Sequence, residues 1–159
     1  MENNSFKKRT EPSAALVKAE AWCAFQERCQ QEARDKLYSW GLHRDEVENI
    51  ISELISRGFL NEERFARAYA GGKFRIKKWG RVKIMIELKR RKISDYCLRK
   101  AMEEIDEDDY LRVLKKIIAD KMRTEKEKNP LKKKLKVMRY AVSRGYENDL
   151  VRGIMEEDE

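Results

Sequence analysis

Apolar residues recur along this chain three and four positions apart, with charged residues filling the intervals, and the pattern itself repeats. Aligning Leu42, Ile93 and Tyr146 places Val47, Leu98 and Val151 five residues on, Ile50, Ala101 and Ile154 eight on, and Ile51, Met102 and Met155 nine on. Twelve on, Leu54 matches Ile105, where the third copy has reached Asp158. Five residues before the anchors stand Leu37, Leu88 and Ala141, and nine before stand Ala33, Ile84 and Val137. This spacing marks the buried faces of two short α-helices joined by a turn, three times over, with a period of about fifty residues. Gly41 and Gly145 precede their anchors, where a helix C-terminus turns left-handed. Lys92 holds that place in the second copy, at a cost of about 1 kcal/mol if the backbone is left-handed there.

A longer helix precedes each pair. The first runs from Ser13 to Gln26 and contributes Leu16, Ala19, Trp22, Cys23 and Phe25. The second opens on Asn61, a good N-cap, and puts Phe65, Tyr69, Gly72 and Ile76 on one face. The third runs from Glu107 to Glu125 with Leu111, Leu114, Ile117, Ile118 and Met122, and Pro130 after Asn129 opens the next helix. Such units cannot bury their apolar faces alone and stack on their neighbours. The expectation is an all-α fold: three tandem three-helix repeats stacked into an elongated, curved body. Residues 1–12 are expected as a flexible tail, 13–60 as the first repeat, 61–106 as the second, and 107–159 as the third with an acidic C-terminal tail.

Composition narrows the chemistry. Of 159 residues, 42% are charged and 41% hydrophobic, and the mean hydropathy is −0.85, which suits thin amphipathic helices with much solvated surface. No apolar run approaches the ~18 residues of a membrane span, and the N-terminus lacks the apolar core of a leader. A soluble, cytoplasmic protein without membrane contact is expected. Cys23, Cys29 and Cys97 are odd in number, sit in helical patterns and form no C-x-x-C pair, so reduced structural thiols are expected. With His43 as the single histidine, neither a zinc set nor a nucleophile–histidine triad can be assembled. The GGK at 71–73 lacks the spacing and the hydroxyl residue of a phosphate-binding loop. No enzyme, metal or cofactor is expected.

Charge is the remaining signal. The net charge is +8, and residues 73–92 carry ten basic residues against one acid, Glu87. Arg64, Arg67, Gly71, Arg75 and Lys78 form one helical stripe, and Lys83 and Arg90 point away from Ile84 and Leu88 on the next helix. A second cluster, Lys132, Lys133, Lys134, Lys136 and Arg139, opens the middle helix of the third repeat. An acidic knot from Glu103 to Asp109 follows the basic repeat, a segregation that solubility alone does not require. The bland reading is a solvated helix face; the functional one is contact with a polyanion. Tyr69, Phe74 and Trp79 are interleaved with this charge, and their helical spacing makes them core rather than base-stacking platforms. The candidate contact residues are Arg64, Arg67, Lys73, Arg75, Lys77, Lys78, Arg81, Lys83, Arg90, Arg91, Lys132 and Lys133.

The stretch GFLNEERFARAY at 58–69 resembles the central signature of the RecX family, regulators of the RecA recombinase. It is carried by Gly58, Phe59, Leu60, Asn61, Glu62, Arg64, Phe65, Ala66 and Tyr69. Gly80, Arg81, Ile84, Glu87, Leu88 and Ile93 resemble the stretch that follows in that family. Cys29 and Ala33 depart from its usual Ser and Leu, and Lys92 from its usual Gly. The resemblance implies a monomeric regulator that binds the RecA filament on single-stranded DNA, contacting the DNA directly or through the filament. It also implies limits on filament extension, ATP hydrolysis and strand exchange. A stand-alone nucleic-acid-binding protein built of helix-turn-helix-like units is the alternative, and a protein–protein adaptor would leave the charge unused.

Overall fold

The computed structural model describes residues 9–157, which form nine α-helices and no strand. They are α1 (Pro12–Phe25), α2 (Gln30–Ser39), α3 (Arg44–Ser56), α4 (Glu62–Lys77), α5 (Arg81–Arg90), α6 (Asp95–Met102), α7 (Glu107–Thr124), α8 (Pro130–Ser143) and α9 (Asn148–Glu157). Packing groups them in threes: α1 with α2 and α3, α4 with α5 and α6, α7 with α8 and α9. The anchors Leu42, Ile93 and Tyr146 are all buried, as are Ala33, Ile84 and Val137 and Val47, Leu98 and Val151. Burial follows the repeated register.

The turns explain the register. Gly41 and Gly145 have φ of +83° and +103°, and Lys92 between them is left-handed as well, at +58°. Helix starts use side-chain acceptors for the amides that the first turn leaves unpaired. Asn61 accepts from the Arg64 N–H, Ser94 from Cys97, Asp106 from Asp109 and Asn129 from Lys132. At α2 this work falls to sulfur, with Cys29 Sγ accepting from the Glu32 N–H at 3.4 Å. Cys29 is thus a working cap with a weaker acceptor than a hydroxyl or carboxylate oxygen.

Three expectations shift. The buried face of α4 is Phe65, Ala66, Ala70, Gly71 and Phe74, and Ile76 is 78% exposed. The short side chains let α4 lie close along α6, which turns the helix away from the face read from Tyr69 and Ile76. Gly71 is buried yet stays in line with the basic stripe, because a Cβ there would lie 2.6 Å from the Arg75 guanidinium that covers it. Phe25 closes α1 in solvent at 83% exposure, while Ala15, Ala19 and Cys23 are buried. The expected tail, 1–12, lies outside the described residues up to residue 8; beyond it, Thr10 N–H donates to Trp40 O at 3.0 Å and Arg9 pairs with Glu46. Of the acidic C-terminus, α9 carries the chain to Glu157, and residues 158–159 lie outside the described residues.

The apolar residues gather in two clusters. One fills the first unit from Ala15 to Leu60. The other runs without a break through the second and third units and takes in Cys29 at the edge of the first. The second and third units meet backbone to backbone. The N–H groups of Gly80 and Val82 donate to the carbonyls of Arg144 and Gly145 at 2.8 and 2.9 Å, so the unpaired start of α5 is satisfied by the end of α8. The Arg81 N–H donates to the Tyr110 hydroxyl at 3.1 Å, that hydroxyl donates to Glu147, and the Tyr146 hydroxyl donates to Lys78 O at 2.9 Å. Phe74, Tyr110 and Tyr146 stack in a row beneath, with centroids 5.8 and 5.1 Å apart.

No side chain fits at the crossing. A Cβ on Gly80 would lie 2.2 Å from the Gly145 carbonyl carbon. Gly80→Ala is expected to destabilise the chain by about 3 kcal/mol through forced separation of the two backbones. Lys92→Gly, which relieves a left-handed lysine, should stabilise it by about 1 kcal/mol. Urea denaturation followed by circular dichroism measures both, and equal midpoints for wild type and Gly80→Ala would contradict the close crossing.

Candidate polyanion-binding surface

The twelve candidate cations separate by what their side chains already hold. Arg64, in the first turn of α4, pairs with Glu27 at 2.5 Å and donates to Gly58 O at 3.0 Å, tying the first unit to the second. Arg67 is held by three carboxylates, Glu104 at 2.9 Å and Glu63 and Glu103 at 3.2 Å each, and so closes α4 onto the end of α6. Arg81 pairs with Glu107 and with Glu147 at 3.2 Å, its guanidinium 3.9 Å from the Tyr110 ring centroid. Arg91 lies 4.9 Å over the Tyr69 ring and pairs with Glu87 and Glu32. Arg90 pairs only with its neighbour Glu87, at 2.9 Å, and stays 70% exposed. The acidic knot is therefore not a separate patch: Glu103, Glu104 and Glu107 neutralise arginines of the basic repeat, and Asp106 caps α7.

Lys73, Arg75, Lys77, Lys78 and Lys83 form no ion pair among the described residues. They cluster where α4 ends and α5 begins. Lys73 and Lys83 lie 4.9 and 4.5 Å from the Trp79 ring centroid, one from each helix, so the indole holds two ammonium groups in place through its face. Lys73 also lies 5.4 Å from Tyr69 and borders a trough of about 650 Å³ between the first and second units. Arg75, Lys77 and Lys78 are exposed in the last turn of α4, where the carbonyl end of the helix favours cations. Lys78 ends the helix in a left-handed conformation, φ +59°, and its ammonium donates to Arg75 O at 2.8 Å. Phe74 is core, as its spacing suggests; Tyr69 and Trp79 pack against the core and carry cations on their outer faces.

On α8, Lys132 is exposed and Lys133 half-buried, while Lys136 is engaged by Glu127 at 3.1 Å. The structure therefore gathers Lys73, Arg75, Lys77, Lys78 and Lys83 at one end of the second unit, leaves Lys132 and Lys133 on a different unit, and commits Arg64, Arg67, Arg81 and Arg91 to internal contacts.

Burial pushes the Cys29 thiol up to about 12 and the Cys23 thiol up to about 11, so both remain protonated, and all three cysteines are free. No group of three or more His, Cys, Asp or Glu among the described residues could hold a metal ion, and no described helix is long and apolar enough to cross a membrane.

Stacked three-helix units with a cationic edge define a helical-repeat protein. The chain belongs to the RecX family. The descriptions "RecX, second three-helix domain" and "RecX, third three-helix domain" match residues 61–102 and 107–155. The regulatory protein RecX of Clostridium perfringens (strain 13 / Type A) is 32% identical over 128 residues, covering 79% of this chain and 59% of that one. That of Prosthecochloris aestuarii is 28% identical over 92 residues, covering 58% and 61%. The chain thus spans about three-fifths of the length of these curated relatives. The crystal structure of RecX from Lactobacillus salivarius superposes with a TM-score of 0.82 at 20% identity, over 92% of this chain and 95% of that one. A second crystal structure, of regulatory protein RecX, gives 0.79 at 16%, over 91% and 73%. At these identities the likeness is one of fold.

The junction of the first two units contains one titratable group of note. The Glu62 carboxylate accepts from the Gln30 N–H at 2.6 Å, and burial holds its pKa above the usual carboxylate range against the opposing pull of that amide and of Arg34. The folded chain then binds this proton more tightly than the unfolded chain, so its contribution is present at acid pH and is lost as pH rises through the folded-state pKa. Glu62→Gln keeps an acceptor for Gln30 without the buried charge. It should raise the urea midpoint at neutral pH, the difference disappearing below the ordinary glutamate range. A variant less stable than wild type at neutral pH would reverse that assignment.

Proposed function

We propose that this chain regulates a RecA recombinase by binding its filament on single-stranded DNA. Bound there, it restrains filament extension, ATP hydrolysis and strand exchange, and so acts in recombinational repair and the SOS response in the cytoplasm. Membership of the RecX family supports the class of role. The observation that carries the reading on this chain is the group Lys73, Arg75, Lys77, Lys78 and Lys83, five cations with no ion pair among the described residues at one edge of a tandem-repeat body. Charges without an internal partner are the ones able to displace counterions from a polyanion at little cost to the fold.

Two tests follow from the way the cations divide. If all five meet phosphates, log affinity should fall with log salt at a slope of about −3.5 on single-stranded DNA. The paired reversal Arg75→Glu with Lys77→Glu should weaken inhibition of DNA-dependent ATP hydrolysis by RecA by roughly tenfold or more, with helicity unchanged. Reversal of Lys132 and Lys133 should do less. Arg67→Glu should instead lower the unfolding midpoint, because it sets a fourth carboxylate among Glu63, Glu103 and Glu104. Wild-type potency in the Arg75 and Lys77 variant would remove the site, and no inhibition by wild type would remove the function. Equal binding to bare and RecA-coated strands would favour the stand-alone nucleic-acid-binding alternative.

A further inference from the structure

The second and third units share a groove that the first unit has closed. Between α5 and α6 lies an apolar groove of about 410 Å³ floored by Met85, Leu98 and Met102. Between α8 and α9 lies another of about 400 Å³, lined by Leu135, Met138 and Val142. In the repeated register Met85 corresponds to Met138, Lys89 to Val142, and Asp95 to Asn148, so these are the same place in two units. In the first unit the positions of Met85 and Arg99 are taken by Arg34 and Glu48, which bond across from α2 to α3 at 2.8 Å. One copy of the groove is bridged by an ion pair and two are left open.

The open copies are apolar within and basic at the rim. Leu135 and Val142, which line the second groove, are 43% and 40% exposed, and Val82, the counterpart of Leu135 on α5, is 44% exposed beside the first. Lys89, Arg99 and Asp95 edge the first groove, two cations to one carboxylate, and Arg139 the second, while Arg152, the counterpart of Arg99, is exposed on α9. An apolar floor takes bulky aliphatic side chains, and methionine adapts to their shape. Nucleic acid offers the floor nothing of that kind. Basic rims repel a second copy of the same surface and attract carboxylates.

We propose that the α5–α6 and α8–α9 grooves are two equivalent docking sites for an acidic amphipathic protein helix, one helix in each groove. Corresponding sites in successive repeats suit a partner that presents the same segment more than once, as a polymer of identical subunits does. Only this last point rests on the filament reading of the preceding section; the grooves are separate from the Lys73–Lys83 cluster.

The probe is a synthetic helix-forming peptide with leucines at positions i, i+3 and i+7 and glutamates around them. Its control has lysine in place of each glutamate. By calorimetry the full chain should bind two acidic peptides and no basic ones. Met85→Glu and Met138→Glu should each leave one site, and the double variant none. Arg99→Glu and Arg152→Glu, which leave both floors intact, should each weaken one site by roughly fivefold. Binding of fewer than two peptides, equal binding of the basic control, or full binding by the double variant overturns the proposal. So does self-association of the wild type, by sedimentation equilibrium, that the double variant abolishes, since a second copy would then be the occupant. The same variants, titrated against RecA-dependent ATP hydrolysis, keep the two readings apart. Peptide binding without inhibition sinks the filament function and spares the grooves; inhibition without peptide binding does the reverse.

Discussion

The arrangement of this molecule depends on one contact, the seating of the start of α5 against the end of α8. A helix begins with amides that have no partner in their own turn, and a helix ends with carbonyls in the same condition. Here the two ends meet: Gly80 and Val82 give their N–H groups to Arg144 and Gly145. The opposed ends of the two helix dipoles also attract. Such an approach tolerates no side chain between the backbones, which accounts for Gly80 and Gly145 together. Around it the tyrosines extend the same bonding outward, and one apolar cluster can then run through two units without a break.

The neighbouring junction solves the same problem by other means. Gln30 stands in the first unit where Arg81 stands in the second, and Phe65 stands where Tyr110 stands in the third. Phenylalanine has no hydroxyl to accept the Gln30 amide, so a carboxylate, Glu62, does it at the price of being buried. Arg64 with Glu27 and Arg91 with Glu32 complete the contact. One oxygen of Glu27 is left buried without a hydrogen-bond partner, a loss on the order of 1–3 kcal/mol that a closer junction would not carry. The chain thus spends several of its arginines on holding units together, and the cations left over define its outward chemistry.

The fold was legible because core positions recur with the helical period at every copy. Ala33, Ile84 and Val137 are buried for the same geometric reason in three places. What periodicity could not resolve was which edge of a broad apolar face turns inward. On α4 the small residues Ala66 and Ala70 decided that, leaving Ile76 outside. Nor could it separate free cations from paired ones. Arg64–Glu27, Arg67–Glu104 and Tyr110–Glu147 each join residues 37 positions apart, a separation set by the path of the chain through its units and not by the helical period. Aligning the copies therefore exposes the core and conceals the ion pairs. Nothing in the local pattern around Tyr110 marks its role, because its partner Glu147 comes beside it only once the third unit has folded back.

Phe65 and Tyr110 differ by a single oxygen atom, and with that atom the two junctions differ in what holds them. The second and third units are joined through backbone and share a core. The first unit is fastened through side chains, chiefly charged ones, with Cys29 reaching into the shared core. High salt loosens such a junction and leaves the backbone one nearly untouched. The chain thus has two units closed on each other through backbone and a first unit fastened to them by side chains, two kinds of joint that salt tells apart.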